Sequence, residues 1–399
     1  MLTQEENSRL TQVAAGTPMG ELLRRYWYPV AAAPELDREP VLAVKILGEE
    51  LVLFRTEEGE LGLVDRRCPH RGAALEYGIP EAKGLRCSYH GWKYDTRGQC
   101  IEQPVETSAR DFAHRVKIKS YPVQELGGLV WTYMGPAPAP LLPRYDLLAR
   151  EDMDREIGIT RALPCNWFQM MENSMDPVHV EFLHAHYLNY VMKRRGKPPA
   201  SVPRRHVKIA FDKFEHGLVK RRLLEGQSED ADDWTIGHPI LFPNILAVGS
   251  SADPEFQIRV PIDETHTQYY WYHARPRKPG TPPQKSIPIW DNPYQHADGR
   301  LVVETVNGQD MMIWLVQGEI ADRTREMLAS TDQGVVLLRQ TMMAQMEKVA
   351  RGEDPLGTVR DPAKNVQIVL PRESHGHYTV DGGFLTQDDP EIIAIKELT

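Results

Sequence analysis

The chain has 399 residues, 41% of them hydrophobic and 26% charged, and a formal net charge of −9 at pH 7. These proportions exclude a disordered chain, and the length allows two domains with separate cores. The acidic balance argues against nucleic-acid binding. The opening MLTQEENSRL lacks the basic start and apolar run of a signal peptide, so we expect a cytoplasmic protein.

The first predicted elements are short strands. VLAVKIL, LVLFR and LGLVD follow one another between Val41 and Asp65, with Gly59 in a turn, which is a hairpin pattern. YPVQEL and LVWTYM predict two further strands before GPAPAPLLP, the segment Gly135–Pro143. Four prolines exclude regular structure there, so this segment is the predicted boundary of a small β-rich domain.

Two cysteine–histidine pairs lie within that domain. Cys68-x-His70 is followed, after sixteen residues, by Cys87-x-x-His90. Two thiolates on one iron and two imidazoles on the other complete a two-iron cluster, and the imidazoles raise its reduction potential. The alternative is a structural Cys₂His₂ zinc site, because zinc accepts the same ligands. The pattern CPHRG…CSYHGWKYD resembles the Rieske [2Fe–2S] motif.

A second set of metal-binding residue types follows the boundary. The stretch NWFQMMENSMDPVHVEFLHAHYL is predicted to be largely helical and contains Asp176, His179 and His184, and Asp310 lies far downstream. Two histidines and one carboxylate form the facial triad of non-haem iron(II). Residues five apart in a regular α-helix point about 140° away from each other. His179 and His184 therefore converge only if the helix locally widens, for instance through a π-bulge.

A basic segment comes next. Residues 191–225 contain eleven Lys/Arg and three Asp/Glu, a local net charge of +8. Its first part, KRRGKPPASVPRRH, predicts a loop, and Arg204 or Arg205 is the candidate anchor for an anionic aromatic substrate. The same patch is also suited to docking an acidic electron-transfer partner.

The remaining elements predict an α+β domain. VKIAF, GLVKRRLL, FQIRVPI and TQYYWYHA alternate as antiparallel strands do, and the uncharged stretch WTIGHPILFPNILAVGSSA contains two prolines, so it predicts buried strands rather than a membrane span. Near the end, STDQGVVLLRQTMMAQMEKVARG predicts a helix that covers the sheet and stops at Gly352.

Two stretches extend the resemblance over nearly the whole chain. ENSMDPVHVEFLH is similar to the iron-binding stretch of Rieske non-haem iron aromatic-ring oxygenases, and GQD…VQGEIADRT resembles the carboxylate region of their phthalate-dioxygenase-like branch. The resemblance implies that His179, His184 and Asp310 bind Fe(II). It also implies that Asp176 links the cluster of one subunit to the iron of its neighbour, within a homo-oligomer that is a trimer or hexamer.

The implied architecture has three parts. They are an N-terminal helical segment (1–39) that packs on the catalytic domain, a β-rich Rieske domain (40–143), and a catalytic domain with a helix-grip arrangement of helix on antiparallel sheet (144–399). The implied function is that of a terminal oxygenase: it uses O₂ to hydroxylate, dihydroxylate or O-demethylate an aromatic compound, with an aromatic carboxylate expected as substrate.

Electrons must come from elsewhere, since the sequence contains no Gly-rich nucleotide-binding loop. We therefore expect NADH and flavin to belong to a separate NAD(P)H-dependent reductase, which acts with or without a ferredoxin. Two alternatives remain at this stage: a non-enzymatic zinc protein that binds a ligand, and a Rieske electron carrier with a redundant second domain.

Overall fold

The computed structural model describes residues 1–104, 106–107 and 112–374. The last part of the predicted catalytic domain, 375–399, lies outside the described residues. Within them, a β-rich N-terminal region precedes a large, mostly antiparallel sheet with helices packed on it. The predicted α+β class is confirmed.

The first forty residues contain more than helices. Thr3 and Glu6 form a capping box that starts the first helix, and Thr17 caps the second with Pro18 at its first position. The elements are α1 (Gln4–Thr11), α2 (Pro18–Leu23), β1 (Trp27–Ala32) and α3 (Glu35–Arg38). Strand β1 pairs antiparallel with residues 129–133, so part of this segment belongs to a sheet of the β-rich region.

Ten short strands form the β-rich region. They are β2 (Val41–Ile46), β3 (Glu49–Arg55), β4 (Leu61–Asp65), β5 (Ile79–Glu81), β6 (Gly84–Arg86), β7 (Lys93–Tyr94), β8 (Cys100–Glu102), β9 (Ser120–Tyr121), β10 (Val123–Leu126) and β11 (Leu129–Tyr133). Their sheets have the orders β2-β3-β4-β9, β5-β6-β7-β8 and β1-β11-β10. The predicted hairpins are confirmed, and Gly59 takes the left-handed conformation, φ +86°, that its turn requires.

The second region begins with α4 (Asp146–Ala149) and a long strand. The elements that follow are β12 (Met153–Leu163), α5 (Trp167–Met175), α6 (His179–Glu181), a π-helical segment (Phe182–Tyr187), α7 (Leu188–Arg194), β13 (His206–Phe214), β14 (Gly217–Leu224), α8 (Asp232–Thr235), β15 (His238–Leu241), β16 (Ile245–Gly249), β17 (Pro254–Pro261), β18 (Thr267–Pro276), β19 (Ile289–Asp291), α9 (Val306–Val316) and α10 (Gln333–Ala350).

Eight of these strands form one sheet. Its order is β13-β14-β15-β16-β17-β18-β12-β19, and every neighbouring pair is antiparallel except β12 and β19. Helix α5 packs on β16 and β17, and α10 packs on α5, α2 and β13. Leu338, Met342 and Met346 of α10 are buried at helical spacing, so the predicted covering helix is confirmed.

The two regions touch through the turn between β2 and β3. The Leu47 N–H donates to the Pro261 carbonyl at 2.9 Å, and Lys45 forms an ion pair with Asp263 at 2.6 Å. The α1–α2 segment also packs on α5 and α10. None of the helices in the described ranges combines the length and the apolarity needed to cross a membrane.

Candidate metal centres

Two loops of the β-rich region present the cysteine–histidine pairs with the same backbone pattern. In the first, the Cys68 N–H donates to the Ala73 carbonyl at 2.9 Å, and the Gly72 N–H donates back to the Cys68 carbonyl at 2.8 Å. Gly72 has φ +72°, a conformation that favours glycine.

The second loop repeats this arrangement. The Cys87 N–H donates to the Trp92 carbonyl at 2.8 Å, and the Gly91 N–H donates to the Cys87 carbonyl at 3.0 Å. Gly91 has φ +74°. The glycine that follows each Cys–His pair in the sequence therefore closes a matching turn around each cysteine.

The four side chains separate into an inner and an outer pair. Cys68 and Cys87 are 1% and 3% exposed and form no disulfide, whereas His70 is exposed and His90 is half-buried. The two imidazole rings lie 4.5 Å apart between centroids, and His70 stacks on Trp92. Two buried thiols and two outward imidazoles fit a cluster whose histidine-bound iron faces the surface.

Three other side chains converge in the second region. His184 Nε2 lies 3.2 Å from Asp310 Oδ1, and His179 Nε2 lies 3.7 Å from the same oxygen. All three ligand atoms lie within 4.8 Å of one another. Two atoms that bind one metal at about 2.1 Å and at a right angle are about 3 Å apart, so these separations suit a shared ion.

The π-helical segment accounts for the convergence of the two histidines. His179 opens α6, the chain then widens at Phe182–Tyr187, and His184 lies inside the widened part. Residues five apart are therefore brought onto one face. The local widening of the helix that the spacing of His179 and His184 requires is therefore present. His186 is exposed and stacks on Phe182.

A hydrogen bond fixes which nitrogen of His184 is free. The Gln309 Nε2 donates to the Val303 carbonyl at 2.9 Å, which leaves Gln309 Oε1 as an acceptor 3.0 Å from His184 Nδ1. His184 Nδ1 therefore carries the proton, and Nε2 keeps its lone pair toward Asp310.

Buried polar atoms that lack a hydrogen bond indicate whether a cation fits between these three side chains. His179 Nδ1 and Asp310 Oδ1 are buried and lack a hydrogen bond within the described part of the chain. Burial alone would raise the pKa of Asp310, but His184 and His179 outweigh burial and hold it below its ordinary value. A carboxylate beside two imidazole nitrogens is a suitable donor set for iron(II), and the cation would satisfy the free Asp310 oxygen.

Asp176 lies on the other side of His179. It follows the last residue of α5, its Oδ1 accepts the Val178 N–H at 2.7 Å, and its Oδ2 lies 3.6 Å from His179 Nδ1. This separation is too long for a hydrogen bond, so Asp176 acts on His179 as a nearby negative charge on the side of the ring away from Asp310.

Two stretches of the chain match known protein families. Residues 26–122 match the Rieske [2Fe-2S] domain family, and residues 296–373 match the family described as LigXa C-terminal domain like. Over 376 residues, the chain is 44% identical to the 5,5'-dehydrodivanillate O-demethylase oxygenase subunit of Sphingobium sp. (strain NBRC 103272 / SYK-6), covering 93% of this chain and 87% of that relative. The chain belongs to the Rieske non-haem iron aromatic-ring oxygenases.

Other relatives agree with this assignment. The Phthalate 4,5-dioxygenase oxygenase subunit of Pseudomonas putida is 32% identical, with 90% of this oxygenase and 89% of that relative covered. Among solved structures, Pseudomonas putida CBB5 NdmA with caffeine matches at a TM-score of 0.62 and 20% identity, covering 90% of this chain and 100% of that one, which shows the shared fold.

The family supplies the two cofactors that the sequence predicted, a Rieske [2Fe–2S] cluster and a mononuclear non-haem iron. The cysteine–histidine loops and the His179–His184–Asp310 group fit these two cofactors in number and kind of ligand. The zinc-protein and electron-carrier alternatives are not favoured.

The predicted substrate arginines, Arg204 and Arg205, follow the helices that hold the two histidines. Both precede β13; Arg205 is exposed and Arg204 half-buried. The sequence reasoning missed Lys220, which belongs to the same basic segment but is buried on β14, and Gln309. The burial of Lys220 could have been predicted from GLVKRRLL. In a strand, side chains alternate between the two faces, so Lys220 shares a face with Leu218 and Leu224.

A groove of about 490 Å³ opens beside the iron-binding helix. Asp176 and His179 form part of its wall, together with Phe182 and Leu328, which are 60% and 40% exposed. The His179 edge of the candidate iron site is therefore accessible from the protein surface.

Proposed function

We propose that this oxygenase is a terminal component that removes the methyl group of a methoxylated aromatic carboxylate by oxidative O-demethylation. The observation that carries the proposal is the convergence of His179, His184 and Asp310 around a buried Asp310 oxygen that has no hydrogen bond. The substrate class is supported by the 44% identical relative, which is named as an O-demethylase oxygenase subunit.

The proposal assigns the ligands as follows. Cys68, His70, Cys87 and His90 hold the cluster, and His179, His184 and Asp310 hold Fe(II). When bound, the cluster supplies single electrons and the mononuclear iron supplies a site at which dioxygen is reduced beside the substrate. The protein orients His184 through Gln309, and Asp176 places a negative charge beside His179.

The reaction balances with one external two-electron donor. A methoxyarene, O₂, NADH and one proton give the phenol, formaldehyde, water and NAD⁺. The two electrons enter through a separate NADH- and flavin-containing reductase, which is supported by relatives named as oxygenase subunits. Such a reaction belongs to the cytoplasm, where NADH is available and thiols stay reduced.

We also propose that the cluster of one chain serves the iron of its neighbour. His70 is exposed and His90 half-buried, and Asp176 and His179 line a surface groove. A head-to-tail interface between these two surfaces closes into a ring, and we propose a trimer, or a hexamer of two such rings. Electrons then pass from His90 through Asp176 to His179.

The domain division belongs to the same proposal: 1–39, the Rieske domain 40–143 and the catalytic domain 144–399. Support comes from the proline-rich segment before residue 144 and from the Rieske match over residues 26–122. The pairing of β1 with β11 ties the first part to the second.

Ring dioxygenation is the second candidate. Two relatives named as dioxygenase subunits, acting on phthalate and phenoxybenzoate by their names, are 32% and 34% identical to this chain. Dioxygenation places both oxygen atoms in the product and releases no formaldehyde, so product analysis separates the two reactions.

The test uses holoenzyme with a compatible reductase, NADH and methoxylated benzoates. We expect one formaldehyde for each NADH and O₂ consumed, whereas a cis-diol without formaldehyde would favour the second candidate. His184→Ala should lose the mononuclear iron and all turnover while retaining the cluster's red-brown colour. The control His186→Ala changes an exposed histidine two residues away and should leave both iron and turnover intact. Full activity in His184→Ala would contradict the ligand assignment.

A further inference from the structure

Lys220 is a buried cation on the inner face of the large sheet. Strand β14 alternates, so Lys220 lies on the same face as Leu218 and Leu224, both of which are fully buried. Lys220 itself is 5% exposed. Lysine is almost never buried to this extent unless it is paired.

The neighbouring buried cations have protein acceptors. Arg222 donates to Asp233 Oδ1 at 2.8 Å, and Arg259 donates to the Gln257 carbonyl and side chain at 2.8 Å and 2.7 Å. Among the described residues, Lys220 has neither a hydrogen bond nor a carboxylate within ion-pair distance, whereas Arg222 on the same strand has both. The three N–H donors of the Lys220 ammonium are therefore available to a bound ligand.

The sheet face that carries Lys220 meets the end of α5, which leads into Asp176. Lys220 lies directly opposite Phe211 on β13, and the Phe211 ring and the Met175 carbonyl both lie against Gly334 of α10.

Asp176 and Asp310 interact electrostatically with the Lys220 amine, and the amine in turn acts on His184. Burial and the charge of Arg222 lower the pKa of Lys220 to about 7. An unpartnered buried ammonium is unfavourable, and a bound anion would relieve this cost by pairing with it.

We propose that Lys220 binds an anionic oxygen of the aromatic substrate, a carboxylate or a phenolate, and so determines specificity for anionic rings. The inference rests on the proposed function and names the residue that recognises its substrate class. Because Lys220 lies on the sheet face that meets the end of α5, the anionic oxygen it binds is held on the same side of the sheet as Asp176 and His179. Arg204 and Arg205, which lie outside the sheet face, are not needed for this contact.

The test measures equilibrium binding by calorimetry on holoenzyme without reductase, so no turnover occurs. Four ligands distinguish a carboxylate oxygen from a phenolate oxygen. 3-Methoxybenzoate has a carboxylate, 2-methoxyphenol has a phenol, 4-hydroxy-3-methoxybenzoate has both, and methoxybenzene has neither. The variants are Lys220→Met and Lys220→Gln, which remove the charge with different shapes, and Lys220→Arg, which retains it. Lys213→Met is the matched control, because Lys213 is an exposed lysine on the adjacent strand β13.

We expect loss of the charge to weaken binding of the recognised anion by about 10- to 100-fold, the effect of a charge-assisted hydrogen bond. Methoxybenzene should bind equally well to wild type and to the Met and Gln variants. Loss confined to the two carboxylates identifies a carboxylate contact. Loss confined to the two phenols, measured at pH 7 with release of a proton on binding, identifies a phenolate contact, because at the higher pH that ionises the free phenols Lys220 has lost its charge. Lys220→Arg should keep the preference for anions.

Two results would overturn the inference. One is equal weakening of charged and neutral ligands, which indicates a packing role, and the other is unchanged binding of every ligand by both neutral variants. In either case wild-type binding of the aromatic acids still supports the proposed function. If wild-type holoenzyme binds none of the four ligands, the proposed substrate class fails and the Lys220 inference fails with it.

Discussion

Gln309 and His184 are 125 residues apart in the chain, yet Gln309 Oε1 lies 3.0 Å from His184 Nδ1. The amide of Gln309 is itself fixed by the Val303 carbonyl. Helix α9 therefore contributes two adjacent residues to the candidate iron site: Asp310 as a ligand and Gln309 as the group that sets the tautomer of another ligand.

The first prediction concerns this contact. Gln309→Leu removes the acceptor and lets the His184 ring rotate or carry its proton on the metal-facing nitrogen. Loss of such a partner typically costs about 10–100-fold in metal affinity. We expect iron to be lost on dialysis against a chelator at concentrations that leave the wild type loaded, as measured by iron analysis.

A control separates this effect from a general effect of the substitution. Gln317→Leu makes the same change at an exposed position just after α9 and should leave the iron content unchanged. Retention of wild-type iron affinity in Gln309→Leu would contradict the proposed role.

The second prediction concerns the cluster. Cys87→Ala removes one of two buried thiols, so we expect loss of the Rieske-type EPR signal from reduced protein. Cys100→Ala is the matched control, because Cys100 is equally buried in the same region but lies outside both loops. If the signal survived in Cys87→Ala, or disappeared in Cys100→Ala, the ligand assignment would be wrong.

The third prediction concerns electron transfer. Asp176→Asn keeps the size and the acceptor for the Val178 N–H but removes the negative charge beside His179. We expect both metal centres to remain loaded while single-turnover transfer from cluster to iron slows by roughly 100-fold, the upper effect of losing a carboxylate beside a ligating histidine.

The matched control for Asp176 is Asp332→Asn, which removes a carboxylate from another part of the same groove. It should transfer electrons at the wild-type rate. Equal rates in the two variants would show that charge at Asp176 has no part in coupling the centres.

The sequence predicted local features well because their causes are local. Alternation and Gly59 predicted the β2–β4 hairpins, and capping residues with helical spacing predicted α10 within a few residues. The matched loops of the cysteine–histidine pairs were likewise indicated by Gly72 and Gly91. Each of these signals lies within a few residues of the structure that it determines.

The candidate iron site was predictable only in part, because its geometry depends on distant segments. In a regular α-helix, the five-residue spacing of His179 and His184 would point the two side chains apart, which argues against a shared ion. The π-helical segment brings them onto one face, and its position could not be read from the spacing. No local pattern shows that Gln309 bonds to a histidine 125 residues away. Charge counting pointed to Arg204 and Arg205, which stay predictions. It could not single out Lys220, because the burial of this lysine depends on strand register.

The last prediction concerns pH and the contact between the two regions. Asp263 accepts hydrogen bonds from Lys45 Nζ at 2.6 Å, from the Thr265 N–H at 3.0 Å and from the His266 N–H at 2.9 Å. Burial alone would raise the pKa of Asp263, but these donors, Lys45 foremost, outweigh burial and hold it well below its ordinary value.

A carboxyl whose folded-state pKa is depressed stabilises the protein fully above its unfolded pKa of about 3.9. This contribution is lost progressively below about pH 5 and disappears only as the pH falls through the lower folded-state pKa. We therefore expect Asp263→Asn to lower the thermal midpoint by about 2 °C at pH 7. The difference from wild type should shrink steadily below about pH 5. Scanning calorimetry at pH 7, 4 and 3 measures it, with Asp37→Asn as a surface ion-pair control that should change little. A difference that grew on acidification would show that Asp263 stabilises the contact in its protonated form.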